Sequence, residues 1–101
     1  MEAPKTVNAF VDLIEQAIFE VKDLLSSIEY DELREYDEFV PAYQTLIEQL
    51  AQLKRAVTEG GHLFADGTDL AFYELAKQNR RSMPYYTMFE ALNVAHHAGV
   101  E

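Results

Sequence analysis

Three histidines carry most of the chemical potential of this chain. His62 lies in the stretch EGGHLFADGTDL, Glu59 to Leu70, with Asp66, Asp69 and three of the four glycines. Imidazole and carboxylate groups this close in sequence can bind metal or exchange protons. Glu59-x-x-His62 matches half of a di-iron pattern. That pattern needs helix, so that residues three apart share a face, and Gly60 and Gly61 break the helix. Asp66-Gly67-Thr68-Asp69 lacks the later glutamate of a calcium loop. The simpler reading is local structure. Asp66 or Thr68 caps a following helix, Asp69 places negative charge near its start, and Leu63 and Phe64 fold back over the glycine corner.

The other two histidines are adjacent, His96-His97. Neighbours in a helix point about 100° apart, so both rarely reach one metal. His96 continues the apolar line of Phe89 and Leu92, while His97 shares a face with Tyr86, Glu90 and Asn93. Near a helix C-terminus a charged imidazole is favoured by the dipole. No histidine has a nucleophile partner, and Ser26, Ser27 and Ser82 read as surface or capping residues. No phosphate loop is present, since Gly60-Gly61 follows a helix rather than a strand. Lys77 to Ser82, KQNRRS, is the single basic cluster. It fits dipole compensation, a phosphate grip, or contact with the acidic segment of a second copy. The expectation is a protein that is not an enzyme, with no catalytic residue, metal ligand or cofactor assigned. The alternative is a metal- or small-ligand-binding bundle using His62, Asp66, Asp69 or His96.

A different chemistry is offered by Glu29 to Glu38, EYDELREYDE, where six acids face only Arg34. Tyr30, Tyr36, Phe39 and Tyr43 interleave with Glu29, Asp31, Glu32, Glu35, Asp37 and Glu38. Aromatic anchors ringed by charge suit a protein-binding surface, because tyrosine supplies contact area at low entropic cost. The residues assigned to partner binding are Tyr30, Asp31, Glu32, Glu35, Tyr36, Asp37 and Glu38, joined by Asp69, Phe72 and Tyr73 beyond the glycine corner.

The elements that must position these groups are helical. Val7, Val11, Ile14, Ile18, Val21, Leu25 and Ile28 form a heptad seam, widened by Phe10, Ala17 and Leu24. This predicts a helix over 5–28 with Pro4 in its first turn. Leu13 and Phe19 lie off the seam, where they widen the buried face or meet a partner. A second helix starts between Asp37 and Pro41, with Val40 biased away from helix by the following proline. Its seam is Phe39, Tyr43, Leu46, Leu50, Leu53 and Val57, with Ile47 beside it, and it ends at Gly60-Gly61. A third helix is expected from Thr68 to Arg81, with Leu70, Tyr73 and Ala76 inward and Phe72 and Leu75 broadening that side. A fourth follows Pro84, facing Tyr85, Met88, Phe89, Leu92 and Ala95 inward, with Gly99-Val100 as its C-terminal cap. The fold class is all-α: a small bundle of two long antiparallel helices followed by two shorter ones, forming a single domain over 1–101.

Composition limits the rest. Apolar residues are 49% of 101, enough for a core, and there is no cysteine for a disulfide or thiolate site. The start MEAPKTVNAF lacks the pattern of a signal peptide, and no run approaches the roughly 18 apolar residues of a membrane span. A cytoplasmic location is expected. The net charge is −10, with −9 of it in residues 1–50. Such a field disfavours direct binding to nucleic acid or an anionic membrane, and it attracts a basic protein. Two helices of about 21 Å cannot cover a hairpin of about 36 Å when stacked side by side. A homodimer is therefore expected to bury the remainder of the seam; the alternative is that the two short helices lie end to end along the hairpin.

The stretch GTDLAFY, Gly67 to Tyr73, is similar to a segment of the colicin-type nuclease immunity proteins, small acidic four-helix proteins that block a basic toxin. The resemblance covers seven residues. It implies a short third helix whose Tyr73 touches the partner, with Phe72 at the neighbouring aromatic position. The chain departs from that family after Tyr73, where Glu74 stands in place of a proline, and in its longer first helix. Charge and resemblance together point to a non-enzymatic interaction module, an adaptor, inhibitor or immunity-like protein, that binds a basic protein partner.

Overall fold

The computed structural model describes residues 1–32, 34–83 and 85–101. Among them are α1 (Val7–Tyr30), α2 (Val40–Thr58), α3 (Tyr73–Gln78) and α4 (Tyr86–Ala98), with 3₁₀ helices at Arg34–Phe39 and Arg80–Ser82. The described residues form no strand, so the fold is the expected small all-α bundle. The expectation that Pro84 opens the fourth helix falls outside the described residues.

Thr6 starts α1. Its backbone is extended and its Oγ1 accepts from the Ala9 amide at 3.1 Å. Pro4 therefore lies ahead of the helix rather than in its first turn. The buried stripe is Phe10, Ile14, Ala17, Val21 and Ile28. It is rotated toward the expected widening positions, and Val7 is left exposed. Leu13 packs against the core, whereas Phe19 remains 65% exposed.

The long helices form the antiparallel hairpin, pinned at its surface by Lys54 Nζ to Glu15 at 3.0 Å. Val40 is the first residue of α2 despite preceding Pro41, so burial of its side chain against the core overrides the local bias. The buried face of α2 is Tyr43, Leu46, Leu50, Leu53 and Val57. Full burial of one such apolar side chain is worth about 1.5–3 kcal/mol, so these two stripes dominate the stability. At the end of α2 the Gly60 amide donates to Val57 O and the Gly61 amide to Ala56 O. This paired closure needs the positive φ of +77° that Gly60 adopts.

The third helix differs most from expectation. It begins at Tyr73 rather than Thr68 and ends at Gln78. Residues 68–70 spend their backbone groups on α4: Thr68 O faces the His96 ring at 2.8 Å and the Leu70 amide donates to Asn93 Oδ1 at 2.9 Å. These contacts tie the segment to α4 ahead of the helix start at Tyr73. Neither Asp66 nor Thr68 caps α3; Phe72 occupies the N-cap and makes no side-chain cap bond.

Most of the seam is covered within one chain, with Val7 left exposed. Buried residues run from Phe10 to Ile28 on α1, and the 3₁₀ helix Arg34–Phe39 packs on both α1 and α2 at the far end of the hairpin. The length argument for a dimer is thereby lost. At the opposite end the two termini pair, the Val7 amide donating to Glu101 O and the Glu101 amide to Lys5 O. The molecule measures 42 × 22 × 21 Å.

Candidate functional site

The acidic segment forms the far tip of the hairpin. Glu29 and Tyr30 end α1, Asp31 and Glu32 turn the chain, and Arg34–Phe39 is 3₁₀ helix. Glu32 takes a positive φ of +51°, which reverses the chain sharply. Glu29, Asp31, Glu32, Glu35, Asp37 and Glu38 are all exposed, and among the described residues none is in an ion pair. The aromatic residues grade inward. Tyr30 is 90% exposed and Tyr43 is fully buried. Tyr36 and Phe39 bridge between them, with ring centres 6.2 Å apart. The Tyr43 hydroxyl donates to Ser82 O at 2.8 Å, and burial pushes its pKa up.

Grooves of opposite charge flank this 3₁₀ helix. One, of about 530 Å³, is lined by Ile28, Glu29, Glu32, Asp37 and Val40, with Arg34 opposing the acids. The other, of about 450 Å³, is lined by Lys77, Arg80 and Arg81 beside Phe39 and Glu74. Lys77 Nζ sits 5.8 Å from the Tyr73 ring centre, a cation–π contact.

Asp69, Phe72 and Tyr73 do not join that surface. Phe72 is 1% exposed and packs edge-on against Phe89 in the core. The Tyr73 and Tyr86 hydroxyls lie 3.2 Å apart. That bond, with burial, pushes the Tyr73 pKa up to about 12. Asp69 is exposed but accepts from Asn93 Nδ2 at 2.9 Å and pairs with His97 Nε2 at 2.7 Å. These residues anchor the loop to α4, and the surface position that the resemblance implied for the Phe72 ring is not realised.

The same anchoring assembles a polar cluster whose members the sequence showed only separately. The loop 61–70 lies along the C-terminal half of α4 and brings His62 and Asp66 to His96. His96 is 2% exposed. Its Nδ1 lies 2.9 Å from His62 Nε2, while its Nε2 lies 2.8 Å from Thr68 O and 3.2 Å from Asp66 Oδ1. Asp66 also accepts from the Thr68 amide and hydroxyl, and these bonds hold its carboxyl below the usual range. Burial, then the neighbouring His96, lowers the His62 pKa from its ordinary value, against a smaller opposing pull from Asp66. The Phe64 ring meets His62 edge-on with centres 4.6 Å apart and packs on Phe10 at 5.1 Å. Phe64 thus folds back over the corner as expected, whereas Leu63 stays 72% exposed. Asp66 and His62 approach opposite nitrogens of His96, so the three do not converge on one point. Among the described residues no three His, Cys, Asp or Glu side chains are placed to hold a metal ion. The available signal was the matched supply of acids at 66 and 69 with histidines at 96 and 97, set against a buried face that includes His96.

No protein-family model, curated protein or solved structure matches the chain. Among the described residues no helix is long and apolar enough to cross a membrane.

Proposed function

We propose that the chain is a non-enzymatic interaction module whose acidic hairpin tip docks a basic protein in the cytoplasm. The observation that carries this reading is the exposure of all six acids from Glu29 to Glu38 around an almost fully exposed Tyr30. Salt-free carboxylates on one tip give a directed field, and one large aromatic side chain beside them gives an anchor. Basic side chains entering the groove beside Glu29, Glu32 and Asp37 would meet acceptors that have no ion-pair partner among the described residues.

The test compares capture from the source cells by the natural chain and by a Glu35→Lys, Asp37→Lys, Glu38→Lys variant, at low and high salt, with bound proteins identified by mass. The expected result is a basic protein retained at low salt, released at high salt and missed by the variant. Salt-insensitive capture, or equal capture by the variant, would refute the reading. Dimerisation is kept as a proposal on the charge ground alone, the basic groove at Lys77–Arg81 meeting the acidic groove of a second copy. The ligand-binding alternative gains nothing from the histidine cluster, because its donors do not converge.

A further inference from the structure

We propose that His62 and His96 form a proton-limited latch, which holds residues 63–65 on α4 while the pair carries at most one extra proton and releases them when both rings are charged. Hydrogen-bond bookkeeping leads there directly. Thr68 O can only accept, so the His96 Nε2 that faces it at 2.8 Å carries a hydrogen. In neutral His96 the other nitrogen, Nδ1, is then bare. His62 Nε2, 2.9 Å away, must supply the hydrogen between the rings. One added proton is tolerated on either ring, since a single N–H still lies between the facing nitrogens. A second puts N–H against N–H and places two imidazolium rings with centres 4.9 Å apart. The bond is lost and replaced by repulsion.

The surroundings offer little relief. Asp66 faces His96 from the loop, but it opposes only one charge and lies on the far nitrogen. Asp69 is engaged by His97 and Asn93 and feels Lys77. Helix α1 presents the Phe10 ring to His62, and α2 presents Gln52 and Ala56, all uncharged.

The release is local. Gly60 and Gly67 bracket the segment with φ of +77° and +86°. The Gly61 and His62 amides donate to Ala56 O of α2 at 2.8 and 3.2 Å, and among the described residues one backbone bond ties 63–65 to α4, from the Ala65 amide to His96 O at 2.7 Å. Beyond Gly67 the chain has contacts that do not depend on the histidine pair: Asn93 accepts from the Leu70 amide and donates to Asp69, each at 2.9 Å, so residues 68–70 stay docked. Acid therefore swings 63–65 outward between two retained anchors, the Gly61 and His62 amides on Ala56 O and the Asp66 carboxylate on Thr68, and uncovers the Phe10 and Phe64 rings.

Amide exchange and histidine ring signals of the full chain, followed by NMR from about pH 7.5 to about pH 5, test this. Protection at Ala65, corrected for intrinsic exchange, should fall by about tenfold or more while protection at Leu70 holds. The two rings should take up their protons in two separated steps. His62→Gln keeps a donor for His96 Nδ1 without a titrating ring, and should abolish the pH effect at Ala65. Parallel loss at Ala65 and Leu70, an unchanged pH effect in His62→Gln, or a single shared titration step for both rings would each overturn the latch. If His62→Gln fails to fold, the ring titrations of the natural chain still decide.

Discussion

Asn93 is buried and commits both ends of its amide, accepting from the Leu70 amide and donating to Asp69, each at 2.9 Å. Asn93→Leu keeps the number of side-chain heavy atoms but strands the Leu70 N–H. The expected loss is about 1–3 kcal/mol, read by urea unfolding at neutral pH. His62 sets a pH dependence of definite sign. Its folded pKa is held below the ordinary 6.5, chiefly by burial, so folding favours the neutral ring. The unfolded chain binds more protons in that window, and stability is complete above 6.5 and declines as pH falls below it. Asp66 and Asp69 are held below 3.8, first by the bonds from Thr68 and from Asn93 respectively. Their contributions persist above that value and are lost only as pH falls through the folded pKa. Urea midpoints measured against pH should therefore fall in two stages, and His62→Gln should remove the upper one alone. Part of this was legible in the residues. His96 lies on the line of Phe89 and Leu92, which marks it as inward-facing. Its partners were not legible, because His62 and Asp66 lie 34 and 30 residues away and no local spacing couples them.

At the level of elements, the end of α2 rests on a single backbone conformation. A Cβ added at Gly60 would meet nothing within 4 Å, so Gly60→Ala reports the left-handed backbone alone. The expected destabilisation is about 1–2 kcal/mol by thermal or urea unfolding, and Gly60→Asn should recover part of it. Thr6→Ala removes the cap on α1 and should cost about 1 kcal/mol in the same assay. Both long helices could be read from their seams, because seven apolar residues in the first and six in the second, at alternating spacings of four and three, mark one side of each to bury. Gly60-Gly61 marked the stop of α2 for the same local reason. The start of α3 misled because Asp66, Thr68 and Asp69 are the residue types that cap helices. Here they bond to α4 and to one another, and a sequence window around residue 68 contains no trace of Asn93 or His96. The 3₁₀ helix Arg34–Phe39 was equally opaque, since six acids in ten residues suppress any apolar period.

The molecule covers most of its own seam, and this shifts the question of assembly to charge. Docking of the Lys77–Arg81 groove on the acidic groove of a second copy predicts a dimer that sediments as such at low salt and dissociates at high salt. A dimer indifferent to salt would point instead to apolar contacts such as the exposed Phe19. The all-α architecture was legible as a pattern of lengths and periods. The coverage of the hairpin was not, because it depends on irregular segments, the loop 61–70 and the 3₁₀ tip, whose packing no helical period encodes. One consequence follows from the hydrogen-bonded termini. Residues 5–7 and 101 meet at the end of α1 that lies about 36 Å from Tyr30. A surface tether fixed to either end of the chain would thus present the acidic tip outward. With the old ends bridged by a short linker, the chain could also be reopened at the exposed Leu63, giving a circular permutant in which the latch is the only part rewired.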